Sequence, residues 1–270
     1  MKSPRISLLL ILPSLIMLSG CTPQNLHPLE GRLFFAVHEA YPGGEEGVEP
    51  SLLLSMETEM IYGCCNYSID AVIHHLGALL SVDIRGIQQP DFCLTALGPA
   101  NLGRFLEPEE GTCSLEFSDG PKKNVYELRV SQESVTITGE GSRLGGFAQP
   151  EYEVFWRYPT DSFAVMCGTT TDTAWVFEDF LARLQAAVDI QEHEFPSYGE
   201  IGYPRAPQGS QVNHPARYFI YGDETGFAAA GDVLRTYVRD VIGGFQGVHI
   251  WLLYWKNESF RSWQMAGTPD

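Results

Sequence analysis

Between residues 31 and 145 several short runs alternate apolar with polar side chains, and a period of two admits little besides β-structure. Leu80, Val82 and Ile84 alternate with Ser81, Asp83 and Arg85. Cys113, Leu115 and Phe117 alternate with Ser114 and Glu116, and Tyr126, Leu128 and Val130 with Glu127 and Arg129. Residues 32–37, 52–60, 65–73 and 135–137 complete the set. Turn-forming stretches such as Ser118-Asp119-Gly120-Pro121 and Ser131-Gln132-Glu133-Ser134 separate the runs.

About seven short strands, each with one apolar face, predict a β-sandwich domain over residues 31–145. The pattern is similar to immunoglobulin-like envelope modules, although the core tryptophan and paired-cysteine spacing of true immunoglobulin domains is missing. The glycine-rich stretch 139–146 marks a boundary, and the character changes beyond it. All five tryptophans lie in residues 146–270. Two amphipathic helices are expected there. One has Asp172 as N-cap and a stripe of Phe177, Phe180, Leu181, Leu184 and Val188. The other starts near Asp223 or Thr225, carries Phe227, Leu234, Tyr237, Val238 and Val241, and stops at Gly243-Gly244. Each follows an apolar run and a glycine, as in Phe163 to Gly168 and Tyr218 to Gly222. A last run, Val248 to Trp255, is apolar on both faces. These elements predict an α+β domain: a small sheet with two helices on one face, in a split-βαβ order. Residues 190–217 hold four prolines and no periodicity, and so read as one long loop.

The amino terminus has another purpose. Lys2 and Arg5 precede an apolar run from Ile6 to Leu18, 13 residues long and too short to cross a bilayer. It ends in Leu18-Ser19-Gly20-Cys21, which resembles the lipobox of bacterial lipoproteins. The resemblance implies a signal peptide over residues 1–20, a diacylglycerol on Cys21 and cleavage before it. Residues 21–30 then form a lipidated tether, polar and with two prolines. Thr22 stands where aspartate favours inner-membrane retention in enteric lipoproteins, so the resemblance leans toward the outer membrane.

Removing residues 1–20 moves the formal charge from −17 to −19. Phosphate backbones repel such a surface, which argues against nucleic acid as a partner. An exported chain oxidises its thiols. Besides Cys21 there are Cys64, Cys65, Cys93, Cys113 and Cys167. A bridge from Cys64 or Cys65 to Cys93 is expected, with either neighbour as the donor. Alternation through residues 65–71 turns Cys65 toward a core and Cys64 away from it.

No nucleophile elbow, P-loop or dinucleotide fingerprint occurs, and no cofactor is implied beyond the covalent lipid. Glu192, His193 and His214 in the long loop could ligate zinc and serve an exported hydrolase. His249, Trp251 and Trp255 share one strand face and could bind carbohydrate or peptidoglycan. Neither set outweighs the simplest expectation, a non-catalytic binding or assembly module held at the envelope by its lipid, with a protein or glycan partner. Replacing Cys21 with serine should release the protein or stall an uncut precursor. A variant that is processed and sediments with membranes like the wild type removes the anchor from this account.

Overall fold

The computed structural model describes residues 26–107, 110–139, 146–206, 212–223 and 225–265. The signal-like segment, Cys21 and most of the glycine-rich stretch lie outside them. The first half supplies β1 (Leu26–His27), β2 (Leu33–Ala40), β3 (Ser51–Tyr62), β4 (Ser68–Leu76), β5 (Leu79–Gln88), β6 (Gly98–Phe105), β7 (Gly111–Asp119), β8 (Lys122–Val130) and β9 (Ser134–Thr138). The second half supplies β10 (Ala148–Pro150), β11 (Val154–Trp156), β12 (Ser162–Thr169), β13 (Ile190–His193), β14 (Glu200–Ile201), β15 (Val212–Asn213), β16 (Arg217–Tyr221), β17 (His249–Tyr254) and β18 (Ser259–Arg261). The helices are α1 (Val176–Ala187), α2 (Gly226–Asp240) and a short α3 (Ser262–Met265).

The chain is mostly β, as the alternation requires. Twelve strands form one large sheet in the order β10-β2-β3-β6-β4-β5-β7-β8-β9-β11-β14, with β1 added on β5. The sheet curls so that distant strands share a core. Phe35 on β2 meets Phe117 on β7 and Tyr126 on β8, with ring centroids 4.4 and 5.1 Å apart. The Tyr126 hydroxyl donates to the Ala148 carbonyl. The strands expected to form two sheets therefore lie in one, folded on itself. Its neighbours include the parallel pairs β5–β7, β2–β10 and β11–β14.

The two halves of that sheet are joined where β4 and β6 run parallel, through the single pairing of Ser68 with Asn101. Just past this point a register shift between Asp70 and Ala71 leaves an extra residue on β5 and bends the pair. Gly86 sits in the bulge with φ near 150°, and a Cβ there would lie 2.5 Å from the His27 carbonyl oxygen. No other residue fits both the dihedral and the close approach of β1.

The small sheet has the order β13-β16-β12-β17-β18, antiparallel throughout, with β15 pairing β12. β12 and β13 are thus parallel with β16 between them, and β16 and β17 are parallel with β12 between them. Both crossovers run through a helix, α1 and α2, so two split βαβ units interlock. The helices bury Phe177, Phe180, Leu184, Leu234 and Tyr237 against Phe163, Val165 and Phe219. A short helical turn, Thr171–Thr173, precedes α1, and Thr170 and Thr173 close a reciprocal capping box there. Asp223 Oδ1 accepts from the Thr225 amide at 2.8 Å at the start of α2.

The opposite face of the small sheet is covered by the segment read as a loop. Tyr203 and Ala216 pack with Ala164, Met166, Leu253 and Trp255, and Phe195 and Ile201 lie against them. β14 belongs to this segment and pairs with β11 of the large sheet, so the segment straps the two sheets together. Beside it the buried carboxylate of Glu39 accepts from Arg157 Nε at 2.8 Å and from the Tyr158 amide at 2.7 Å. Tyr41 donates to the Trp255 carbonyl at 2.9 Å.

Gly86→Ala should cost about 1–3 kcal/mol, the typical scale of one strained backbone site, and should detach β1. Loss of amide protection at Leu26 and His27, alongside a lower urea midpoint, is the expected readout.

Candidate functional site

Past the Ser68–Asn101 bridge, β4 and β6 diverge. β6 pairs onward only with β3, and β4 only with β5. Among the described residues their facing edges, 71–76 and 102–105, carry no ladder partner. The gap between them is a cleft of about 520 Å³, lined by Ala71, Val72, Ile73, Phe105 and Leu106, with Leu80 and Cys113 beneath. His75, Arg104 and Glu107 supply its polar groups. A second hollow of about 420 Å³ shares His75, Glu107 and Cys113 and runs on to Glu110, Thr112 and Val130. Leu80 and Leu106 are buried, whereas Phe105 is 41% exposed. Burial pushes the Cys113 thiol upward, the opposite of what a nucleophilic thiolate needs.

The cleft draws on residues that sequence reasoning passed over. β6 has the sequence Gly98-Pro99-Ala100-Asn101-Leu102-Gly103-Arg104-Phe105, where one proline and two glycines mask the strand. The weak alternation of Ala100 and Leu102 with Asn101 and Gly103 was the only signal.

The structure does not bring the candidate zinc ligands together. Glu192 and His193 are neighbours in β13, so their side chains leave opposite faces. Glu192 is held by the Arg217 guanidinium, which also keeps its carboxyl below the usual range. His193 lies opposite Tyr218 and packs on Phe195, 4.8 Å between centroids, on the face away from the helices. His214 lies on the helix side, against Phe177 at 5.0 Å, and shares a hydrogen bond of 3.1 Å with Thr169 Oγ1. Among the described residues no three His, Cys, Asp or Glu side chains are grouped to hold a metal ion.

The tryptophan row is partly covered. Trp255 is buried in the aromatic cluster under the strap. Trp251 is half-buried, with the Arg261 guanidinium 5.1 Å from its ring centre. His249 stands at the sheet end against Trp263, 5.6 Å away.

Cys64 and Cys93 form a disulfide, with Cα atoms 5.3 Å apart. Cys64 is the buried member of the neighbouring pair and Cys65 the half-exposed free thiol. That reverses the expected parity, because residues 63–66 form a turn and the alternation starts only at Ser68. Ile69, Ala71 and Ile73 do face the core. Cys167 is free, buried in β12, and its thiol is pushed up to about 12 by burial.

No family model, curated protein or solved structure matches this chain.

Burial lowers the His193 pKa, partly offset by Glu133. A depressed histidine gives stability that is complete above its unfolded value, near 6.5, and lost as pH falls from there to the folded value. Urea midpoints should decline below about pH 6.5, and less steeply in His193→Gln. Parallel slopes for the two proteins would show that this imidazole is not the source.

Proposed function

We propose that the protein is a lipid-anchored component of the bacterial cell envelope, acting without catalysis as a binding or assembly module. Its anchor is the acylated Cys21, and Thr22 favours the outer membrane. The cleft between β4 and β6 is the place where it holds a partner. The observation that carries this reading is the pair of unpaired strand edges facing each other over an apolar floor. Free edges attract further strands, and the commonest use of such an edge is to add one from a partner. An extended polypeptide segment supplies the backbone donors and acceptors these edges lack, together with side chains for Phe105 and Leu106. In the same reading the curled sheet serves as an immunoglobulin-like platform in the architectural sense, with two facing halves and the binding place at one end.

Peptides selected from a random heptapeptide display library on the purified protein test the proposal. Binders should lose at least about tenfold in affinity, near 1.4 kcal/mol, on Phe105→Asp and Val72→Arg, with the circular dichroism of both variants unchanged. Peptides that bind both variants as well as the wild type place recognition elsewhere.

A further inference from the structure

Large exposed apolar side chains scattered singly are ordinary on a protein surface, and a cluster of them is not. One group clusters. Met60 and Ile61 at the end of β3, and Phe92, Leu94 and Leu97 in the loop 89–97, gather at one end of the large sheet. Phe92 is 74% and Leu97 75% exposed. Ile61 pairs with Pro99 and Tyr62 with Gly98, which places Leu97 beside the β3 end. The Cys64–Cys93 disulfide ties the loop to the same corner.

Three properties set this tip apart from an ordinary loop. It is tied to the corner by the disulfide, with Phe92 and Leu94 on either side of the bridged cysteine. Its backbone is partly satisfied from within. Asn66 Nδ2 donates to the Phe92 carbonyl at 2.6 Å, and the Leu94 amide donates to Asn66 Oδ1 at 3.2 Å. Polar backbone groups must find such partners before they leave water. Lastly, residues 89–97 contain a single charge, Asp91.

Its position supplies the occupant. Leu26 pairs with Gln88, and His27 Nε2 lies 3.4 Å from Gln89 Oε1. The loop therefore leaves β5 beside the point where the chain enters the fold. Cys21 is five residues before Leu26, a reach of at most about 18 Å when extended. Phe92 is four residues beyond Gln88, at most about 14 Å. A lipid on Cys21 would hold this corner within reach of the bilayer.

We propose that Met60, Ile61, Phe92, Leu94 and Leu97 form a bilayer-docking surface that enters the headgroup–acyl boundary of the membrane holding the lipid anchor. This rests on the anchored reading above, and deepens it by fixing which end of the fold faces the lipid. Because the body is strongly acidic, the contact is apolar and independent of anionic lipid.

The test uses the full-length lipidated protein in phosphatidylcholine vesicles, with a benzoylphenylalanine photocrosslinker at position 92, 97 or 76. Leu76 is the control, since it is 73% exposed but ends β4 at the other end of the sheet. Crosslinks to lipid at 92 and 97 should exceed those at 76 by at least about tenfold, and F92S/L97S should leave the protein anchored yet more readily extracted by mild detergent. Equal lipid yields at all three positions, or crosslinks at 92 that go to a second copy of the chain or to another protein, overturn the docking surface. The anchor itself is scored separately, by mass spectrometry of residue 21 and vesicle sedimentation of wild type against Cys21→Ser. An acylated, sedimenting protein without lipid crosslinks at 92 sinks the docking surface alone. An unacylated protein sinks the anchored reading.

Discussion

A single backbone pairing, Ser68 with Asn101, joins the two halves of the large sheet. On one side of it lie the ends of β3 and β5, the disulfide and β1. On the other, β4 and β6 part company. Had the parallel pairing continued along both strands, the sheet would be seamless and the cleft would not exist. A register shift against β5, between Asp70 and Ala71, lies just where the two strands part. Gly86 makes the shift compatible with β1 lying across it. One local irregularity thus lies between the two ends of the fold.

The seam between the two sheets is built on different principles. Glu39 is almost wholly buried and bonded to Arg157 and Tyr158, yet its carboxyl titrates above its ordinary value. Desolvation outweighs the ion pair, so the pair adds little net stability. What it fixes is position, since the carboxylate has only one place to find both donors. Tyr41 and Tyr158 lie beside it, Tyr203 packs edge-on against Tyr158, and burial pushes the Tyr158 hydroxyl up to about 12. The strap through Tyr203 completes the seam, and its Ser162 contact at 2.8 Å ties it to β12. A long irregular segment is tolerated here because it covers an apolar sheet face that no helix reaches.

Much of the architecture was legible where periodicity was strong. β5, β7, β8 and both long helices follow the alternations in the sequence closely, and the interlocked βαβ order agrees with the strand–glycine–helix repeats. What escaped notice has physical causes. β6 is masked by Pro99 and two glycines, residues tolerated because one edge of that strand is largely free. The zinc grouping assumed a loop at Glu192 and His193. Once those residues form a strand, parity alone separates them. Parity also misplaced Cys64 and Cys65, because a turn resets the phase just before β4. The cleft could not be read from sequence, since it depends on where two strands stop pairing rather than on any residue type.

β4 runs from the disulfide corner to the cleft, with one register shift against β5 between Asp70 and Ala71. Its rise of about 3.3 Å per residue puts about 23 Å between Ser68 and His75. A strand paired with β5 on both sides of that shift is a strut, and of the stretch expected to be a polar tether, Leu26–His27 join the sheet as β1 and Leu29 is buried in the core. If the loop docks on lipid as proposed, the strut would set the height at which the cleft opens. A partner would then be met at a fixed stand-off above the bilayer, selected by its reach as well as by its chemistry.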